Sequence, residues 1–314
     1  MTSTSTSSDD VAFTLTYVPK IAPAIVFSVV FGLMFVFQLG HERRFKAKHK
    51  DTSTDRDWLR FSIIAHMFKL AMGLEMGGYI ARIFINKNPD QTAPYVILTL
   101  LTVIAPNSFT VCLILYYGEV IRTNNAQRSC LLPEWWITKM FLFQILFAVV
   151  FAISGSVLLT TDTSKYNVAR ALLIVCFSIL LLVLVTVLLV LIHFFIKNSS
   201  AVKTLTGKKL EFEIRVKATR YYWKNLTLAL IVIFLLLIVR NIYRLAGMIE
   251  GYGGQIFQHE VYQYVLDATM IAIAGFTFIA CCNIATLAYV RADYNAIFGY
   301  DGNYKEFDTA SQQA

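Results

Sequence analysis

Long apolar runs broken by short polar stretches dominate the chain. Seven runs stand out: Val18–Gly40, Phe61–Phe84, Pro94–Gly118, Trp135–Thr160, Val168–Ile196, Tyr222–Ile249 and Tyr262–Val290. Each reaches the ~20 residues that a helix needs to cross a bilayer core, the second and sixth only by including charged residues. The pattern predicts an all-α, polytopic membrane protein of seven transmembrane helices. Residues 1–17 read as a Ser/Thr-rich tail too polar to pack, residues 18–291 as one seven-helix domain, and residues 292–314 as a second tail. The N-terminal segment lacks the basic start and small-residue cleavage site of a secretory signal, so the first run reads as an uncleaved anchor.

Composition agrees with this pattern. Of 314 residues, 57% are hydrophobic and 15% charged, which suits a membrane protein and argues against a soluble domain. The net charge of +8 is concentrated in two interhelical segments, so it reads as a topology signal and not as a nucleic-acid footprint. Arg43, Arg44, Lys46, Lys48, Lys50 and Arg56 follow the first run. Lys197, Lys203, Lys208, Lys209, Arg215, Lys217 and Arg220 follow the fifth. The opposite side offers only Lys87 and Lys165 in its short loops. This bias places the N-terminus outside and the C-terminus in the cytoplasm. The five cysteines show no CxxC spacing and read as free thiols, Cys130 in a loop and the others within apolar runs.

The candidate chemistry lies in the charges that the apolar runs cannot avoid. Leu226–Val239 is about 14 residues, or ~21 Å of helix, against a core of about 30 Å. The sixth helix therefore carries Arg240 and Arg244 into the hydrocarbon. Charges there cost roughly 3 kcal/mol and are expected to face the bundle interior and find partners. Glu75, Tyr79 and Arg82 share one face of the second helix, and Glu260, Tyr264 and Asp267 one face of the seventh. With Tyr243, these residues fall in the outer half of the membrane or at its rim. They read either as an ionic zipper joining three helices or as a headgroup site for an amphiphile, open laterally to lipid. Carboxylates would meet a cationic headgroup, and arginine forks a phosphate or carboxylate.

At these residues a resemblance emerges. Glu75-Met-Gly-Gly-Tyr79-Ile-Ala-Arg82, Ala105-Pro106 followed by Tyr116, and Arg240-x-x-Tyr243-Arg244 with Gly251, Gly254, Glu260, Tyr264 and Asp267 resemble the fungal lipid-translocating exporter family, the aminocholesterol-resistance-like seven-helix proteins. Tyr17, Pro19 and His41 also fit. The chain departs from the family pattern at Gly247, where a Glu is usual. It departs again in the fourth helix, where Gln144 is the nearest polar group, and at Asn283-Ile-Ala285, which replaces His-Pro-Gly. The resemblance implies a plasma-membrane protein that moves sphingoid bases, lysolipids or toxic amphiphiles. One branch of the family is linked to protoporphyrin uptake and haem efflux.

Other features carry less. His66 and His193 both fall toward the cytoplasmic ends of their helices, and hydrogen-bonded helix histidines are the default reading over ligation. His259 borders the charged cluster. Lys69 is expected to snorkel or to pair with a nearby acid. Pro106 is expected to kink the third helix and free a carbonyl that a neighbouring helix must satisfy. No hydrolase elbow, HExxH, Walker A sequence or nucleotide fingerprint occurs, so no enzyme, cofactor or metal is expected. A seven-helix receptor or stress sensor is the competing class. The third helix ends Gly118-Glu-Val-Ile-Arg122 instead of in an Asp-Arg-Tyr motif, and no Asn-Pro-x-x-Tyr closes the seventh. The expected partners are membrane lipids or amphiphilic small molecules, with porphyrin or haem as the alternative and no nucleic acid.

Overall fold

The computed structural model describes residues 20–48, 55–87, 92–123, 134–161, 165–204, 210–251, 256 and 259–282. These form seven long helices: α1 (Ile21–Lys48), α2 (Asp55–Lys87), α3 (Thr92–Thr123), α4 (Glu134–Thr161), α5 (Tyr166–Thr204), α6 (Leu210–Glu250) and α7 (Glu260–Cys281). No strand occurs among the described residues. In hydrocarbon every backbone amide must be satisfied within its own segment, so apolar runs of this length fold as helices. Five of them (α1, α3, α5, α6 and α7) are long and apolar enough to cross a membrane. The 33-residue α2 has the length but carries Arg60, Lys69, Glu75 and Arg82 within it. In α4 the described apolar stretch is Ile145–Leu158.

The helices run further than the apolar runs. α1 continues to Lys48, α5 to Thr204, and α6 begins at Leu210. Much of the basic segment after the fifth run is therefore helical, because Glu, Lys and Arg are good helix formers once outside the hydrocarbon. At the other extreme, α7 stops at Cys281, with Cys282 already out of helical geometry (φ −99°, ψ 40°). The rest of the expected seventh run lies outside the described residues. So do Tyr17, Pro19, Cys130, Gly254, Asn283 and the side chain of Gln144.

Each helix packs on the next in sequence, and α7 returns to α1, so the seven close a ring; α3 also touches α5 and α6 across it. The core between α2, α3 and α7 is aromatic. The Phe278 ring stacks on Phe68 at 4.8 Å and meets Tyr116 edge-on at 5.4 Å. Close helix approach needs small residues. A Cβ at Gly155 of α4 would lie 2.9 Å from Leu173 of α5, and one at Gly275 of α7 would lie 3.1 Å from the Met34 sulfur. The perimeter is apolar instead: Val26, Leu33 and Phe37 of α1, Phe143 and Leu146 of α4, Leu182 and Leu189 of α5, and Phe276 of α7 are exposed. Charged residues held inside an apolar perimeter are the arrangement for a lipid solvent.

Two local devices fix the end of the bundle where the charges gather. α6 ends on Gly251 in the left-handed region (φ +88°), whose amide donates to the Gly247 carbonyl at 2.9 Å. Glycine reaches that conformation without a steric cost. Arg170 of α5 reaches over to the carbonyls of Met248 (2.7 Å) and Ile249, placing a cation on the negative end of α6. In α7, Tyr264–Ala268 widen into a π-turn, and the Thr269 hydroxyl donates to the Tyr264 carbonyl at 2.8 Å. Such turns rotate the residues beyond them relative to a regular helix and recur at functional sites.

Candidate functional site

α2, α6 and α7 each deliver charge to one buried cluster. From α6, the Arg240 guanidinium lies between two acids: its Nε is 2.6 Å from Asp267 Oδ1 of α7, off the hydrogen-bond direction, and its Nη2 is 3.8 Å from Glu75 Oε1 of α2. Arg244, one turn along α6, donates to the other oxygen of Asp267. Asp267 therefore joins both arginines through separate oxygens. Glu75 is held more loosely, and its Oε1 accepts no hydrogen bond although it is buried. Arg240 and Asp267 are 1% exposed and Glu75 3%, so all three sit in a medium where an unpaired charge is costly.

A fourth helix completes the setting of Arg240. Pro106 lies inside α3 and has no amide hydrogen, which leaves the carbonyl four residues earlier, Thr102, without its helical donor. Arg240 Nη2 donates to that carbonyl at 3.1 Å. The neighbouring helix that the proline demands is thus α6, and the group it sends is the central arginine of the cluster.

The remaining candidates form an arm toward α1. Arg82 is buried, with its guanidinium carbon 5.4 Å from the centre of the Tyr264 ring. The Tyr264 hydroxyl donates to Glu260 Oε1 at 2.8 Å, and the same oxygen accepts the Lys20 amide at 2.8 Å. Glu260 therefore joins the cluster through Tyr264 and through the start of α1; the ion pairs of Arg240 and Arg244 go to Asp267 and Glu75. Phe27 of α1 stacks on Tyr79 (5.5 Å) and on Tyr264 (5.7 Å), and Phe31 on Tyr79 (5.6 Å), closing the aromatic side. Tyr243 is buried between its two arginines in sequence. Phe27 and Phe31 were not candidates from sequence. Their one signal is a four-residue spacing on an otherwise uniformly apolar helix, which any lipid-facing pair would share.

Residues at the margin behave differently. Glu250 is exposed and accepts the Ile256 amide at 3.0 Å. His259 is exposed and meets Tyr262 edge-on at 5.6 Å. His66 faces outward with Nδ1 2.6 Å from the Ser62 carbonyl of its own helix. Among the described residues no group of three His, Cys, Asp or Glu is placed to hold a metal ion. A second set of ion pairs lies toward the opposite end. Lys69 of α2 pairs with Glu42 of α1, both buried, and Arg60 of α2 pairs with Glu119 of α3 at 3.2 Å.

A ring of seven helices with an apolar perimeter and an arginine–carboxylate cluster inside defines a polytopic membrane protein with a specialised polar interior. The family model described as RTA1 like protein matches residues 68–288, and the chain belongs to that family. The match spans α3 to α7 and most of α2, so it includes every arginine and carboxylate of the cluster. Three relatives from Saccharomyces cerevisiae are similar to this chain. The chain is 28% identical to Protein RTM1 over 66% of its own length and 63% of the relative's. It is 23% identical to Protoporphyrin uptake protein 1 over 83% and 89%, and 26% identical to the Sphingoid long-chain base transporter RSB1 over 65% and 60%. No solved structure matches. Two of these relatives are named for transport or uptake.

Proposed function

We propose that this protein moves a lipid-like amphiphile across or out of a membrane, with the α2–α6–α7 cluster as the station for the charged headgroup. Glu75, Glu260 and Asp267 supply negative charge. Arg82, Arg240 and Arg244 supply positive charge and orient the acids. Tyr79, Tyr243 and Tyr264 provide hydroxyls and aromatic walls. The observation that carries this reading is Arg240, placed between two carboxylates from two other helices and a backbone carbonyl from a third. Ionisable groups inside membrane bundles commonly mark a cargo path. The names of two relatives point the same way, one to sphingoid bases and one to protoporphyrin. Sphingoid bases, lysolipids and toxic amphiphiles are the first substrate class. Porphyrin or haem is the second, favoured by the three buried arginines that suit a carboxylated cargo.

The basic residues after the first and fifth runs support an N-terminus outside and a C-terminus in the cytoplasm, which puts the headgroup station in the outer half of the membrane. The proposed location is the plasma membrane. The test is flux in vesicles that contain this protein alone, with labelled sphingoid base, lysolipid and porphyrin offered in parallel. Protein-dependent flux of any one supports transport; flux equal to that of empty vesicles for all three overturns it. Ligand-dependent G-protein activation without flux would favour the receptor class.

A further inference from the structure

The two buried acids of the cluster are not equivalent. Asp267 meets two arginines at close range, Arg244 by a hydrogen bond and Arg240 by an ion pair at 2.6 Å that is off the hydrogen-bond direction. Glu75 has only the 3.8 Å approach of Arg240, and its Oε1 is an acceptor with no donor in a residue 3% exposed. Arg240 does not need Glu75 to stay in place, because the carbonyl freed by Pro106 and Asp267 both anchor it. A buried carboxylate oxygen without a donor is costly, and a group that brings one relieves the cost. A carboxylate cargo directed at Arg240 or Arg244, in contrast, would compete with Asp267 and the Thr102 carbonyl for them.

Aromatic rings flank the stripe of α2 that carries Glu75. Tyr79 lies one turn away on α2 and stacks with Phe27 and Phe31, while Tyr264 already takes the Arg82 guanidinium on its face. Aromatic faces attract ammonium groups, most strongly when desolvated. We propose that Glu75 is the exchangeable carboxylate of the cluster: it accepts the protonated amine of an incoming amphiphile, while Asp267 stays locked to Arg240 and Arg244 as the structural acid. This rests on the reading of the cluster as a headgroup station and narrows it to cargo with a free amine.

The experiment compares three probes on the purified wild-type protein in detergent or vesicles: a labelled long-chain 2-amino-1,3-diol, its N-acetyl derivative and protoporphyrin. The amine should bind at least about tenfold more tightly than the N-acetyl form, which has the same tail without the charge. In Glu75→Gln that ratio should fall to within about twofold, with the binding of the N-acetyl form little changed. Wild-type protein that binds both forms equally, or binds the dicarboxylic porphyrin in preference, overturns the proposal without any variant. A Glu75→Gln protein that keeps the full ratio overturns it as well. If Glu75→Gln does not fold, Glu75→Asp, which retracts the carboxylate by one methylene, must narrow the ratio; an unchanged ratio there is equally fatal. Failure of the transport reading looks different: none of the three probes then binds or moves with the wild-type protein.

Discussion

Two sets of ion pairs hold this bundle, and they are built on different plans. At one end, Glu42–Lys69 and Arg60–Glu119 join neighbouring helices pairwise. At the other, Arg240 reaches three helices at once, and Asp267 shares its two oxygens between two arginines. In the first set each described ion pair joins one acid to one base, so the two partners can be deleted together. In the branched cluster Arg240 also donates to the Thr102 carbonyl, so deleting it with one acid still leaves a buried acceptor without its donor. The first plan suits attachment. The second keeps a charge balance that an incoming group can enter, and it contains Glu75, whose buried Oε1 accepts no hydrogen bond and meets Arg240 only at 3.8 Å.

Variants separate the two plans, and the largest effect belongs to Arg240. Arg240→Ala leaves Asp267 and Glu75 with one less cation in a dry interior, at a cost of about 3–5 kcal/mol. That should lower the thermal midpoint by on the order of 10 °C, measured on detergent-purified protein. Next comes the contrast between double variants. Glu42→Gln with Lys69→Met should recover most of the stability that either single change loses. Glu75→Gln with Arg240→Met should recover less, because the Thr102 carbonyl then loses its donor and Asp267 one of its two arginines. Equal recovery in both would erase the distinction between pair and branch.

Smaller effects sharpen the comparison. Pro106→Ala supplies an amide that competes with Arg240 for the Thr102 carbonyl. It should weaken the hold on Arg240 by about 1 kcal/mol, the scale of one hydrogen bond, even though removing a helix proline would ordinarily stabilise. A double-mutant cycle with Arg240→Lys checks this, since additive effects would mean that the two sites are not coupled. The least change is expected from Arg60→Ala. The Arg60 side chain is 45% exposed, so solvent screens its pair with Glu119 and the loss should stay below about 1 kcal/mol.

Much of the branched cluster was legible because hydrophobic length and spacing constrain it. An apolar run too short to span forces Arg240 inward, and i, i+4 and i, i+7 spacings put Glu75, Tyr79 and Arg82 on one stripe. The demand that Pro106 makes on a neighbour was legible too, but its answer was not, because which helix faces Thr102 is a matter of packing. The division of labour between Glu75 and Asp267 was equally hidden. It depends on the π-turn at Tyr264–Ala268, which no residue in that stretch announces and which changes the phase of α7 at Asp267 itself. Lys69 was expected to snorkel or to find an acid, but nothing singled out Glu42, which the helical extension of α1 beyond the first apolar run brings to it.

The central claim is that the branched cluster handles cargo while the paired one only joins helices. Initial flux of a labelled long-chain amine into vesicles tests it most directly, comparing Arg240→Lys with Lys69→Arg at matched protein density. Both substitutions keep the positive charge and alter its geometry. The account predicts a loss of about tenfold or more for Arg240→Lys and a change within about twofold for Lys69→Arg. Equal losses, or a flux that survives Arg240→Lys intact, would contradict it.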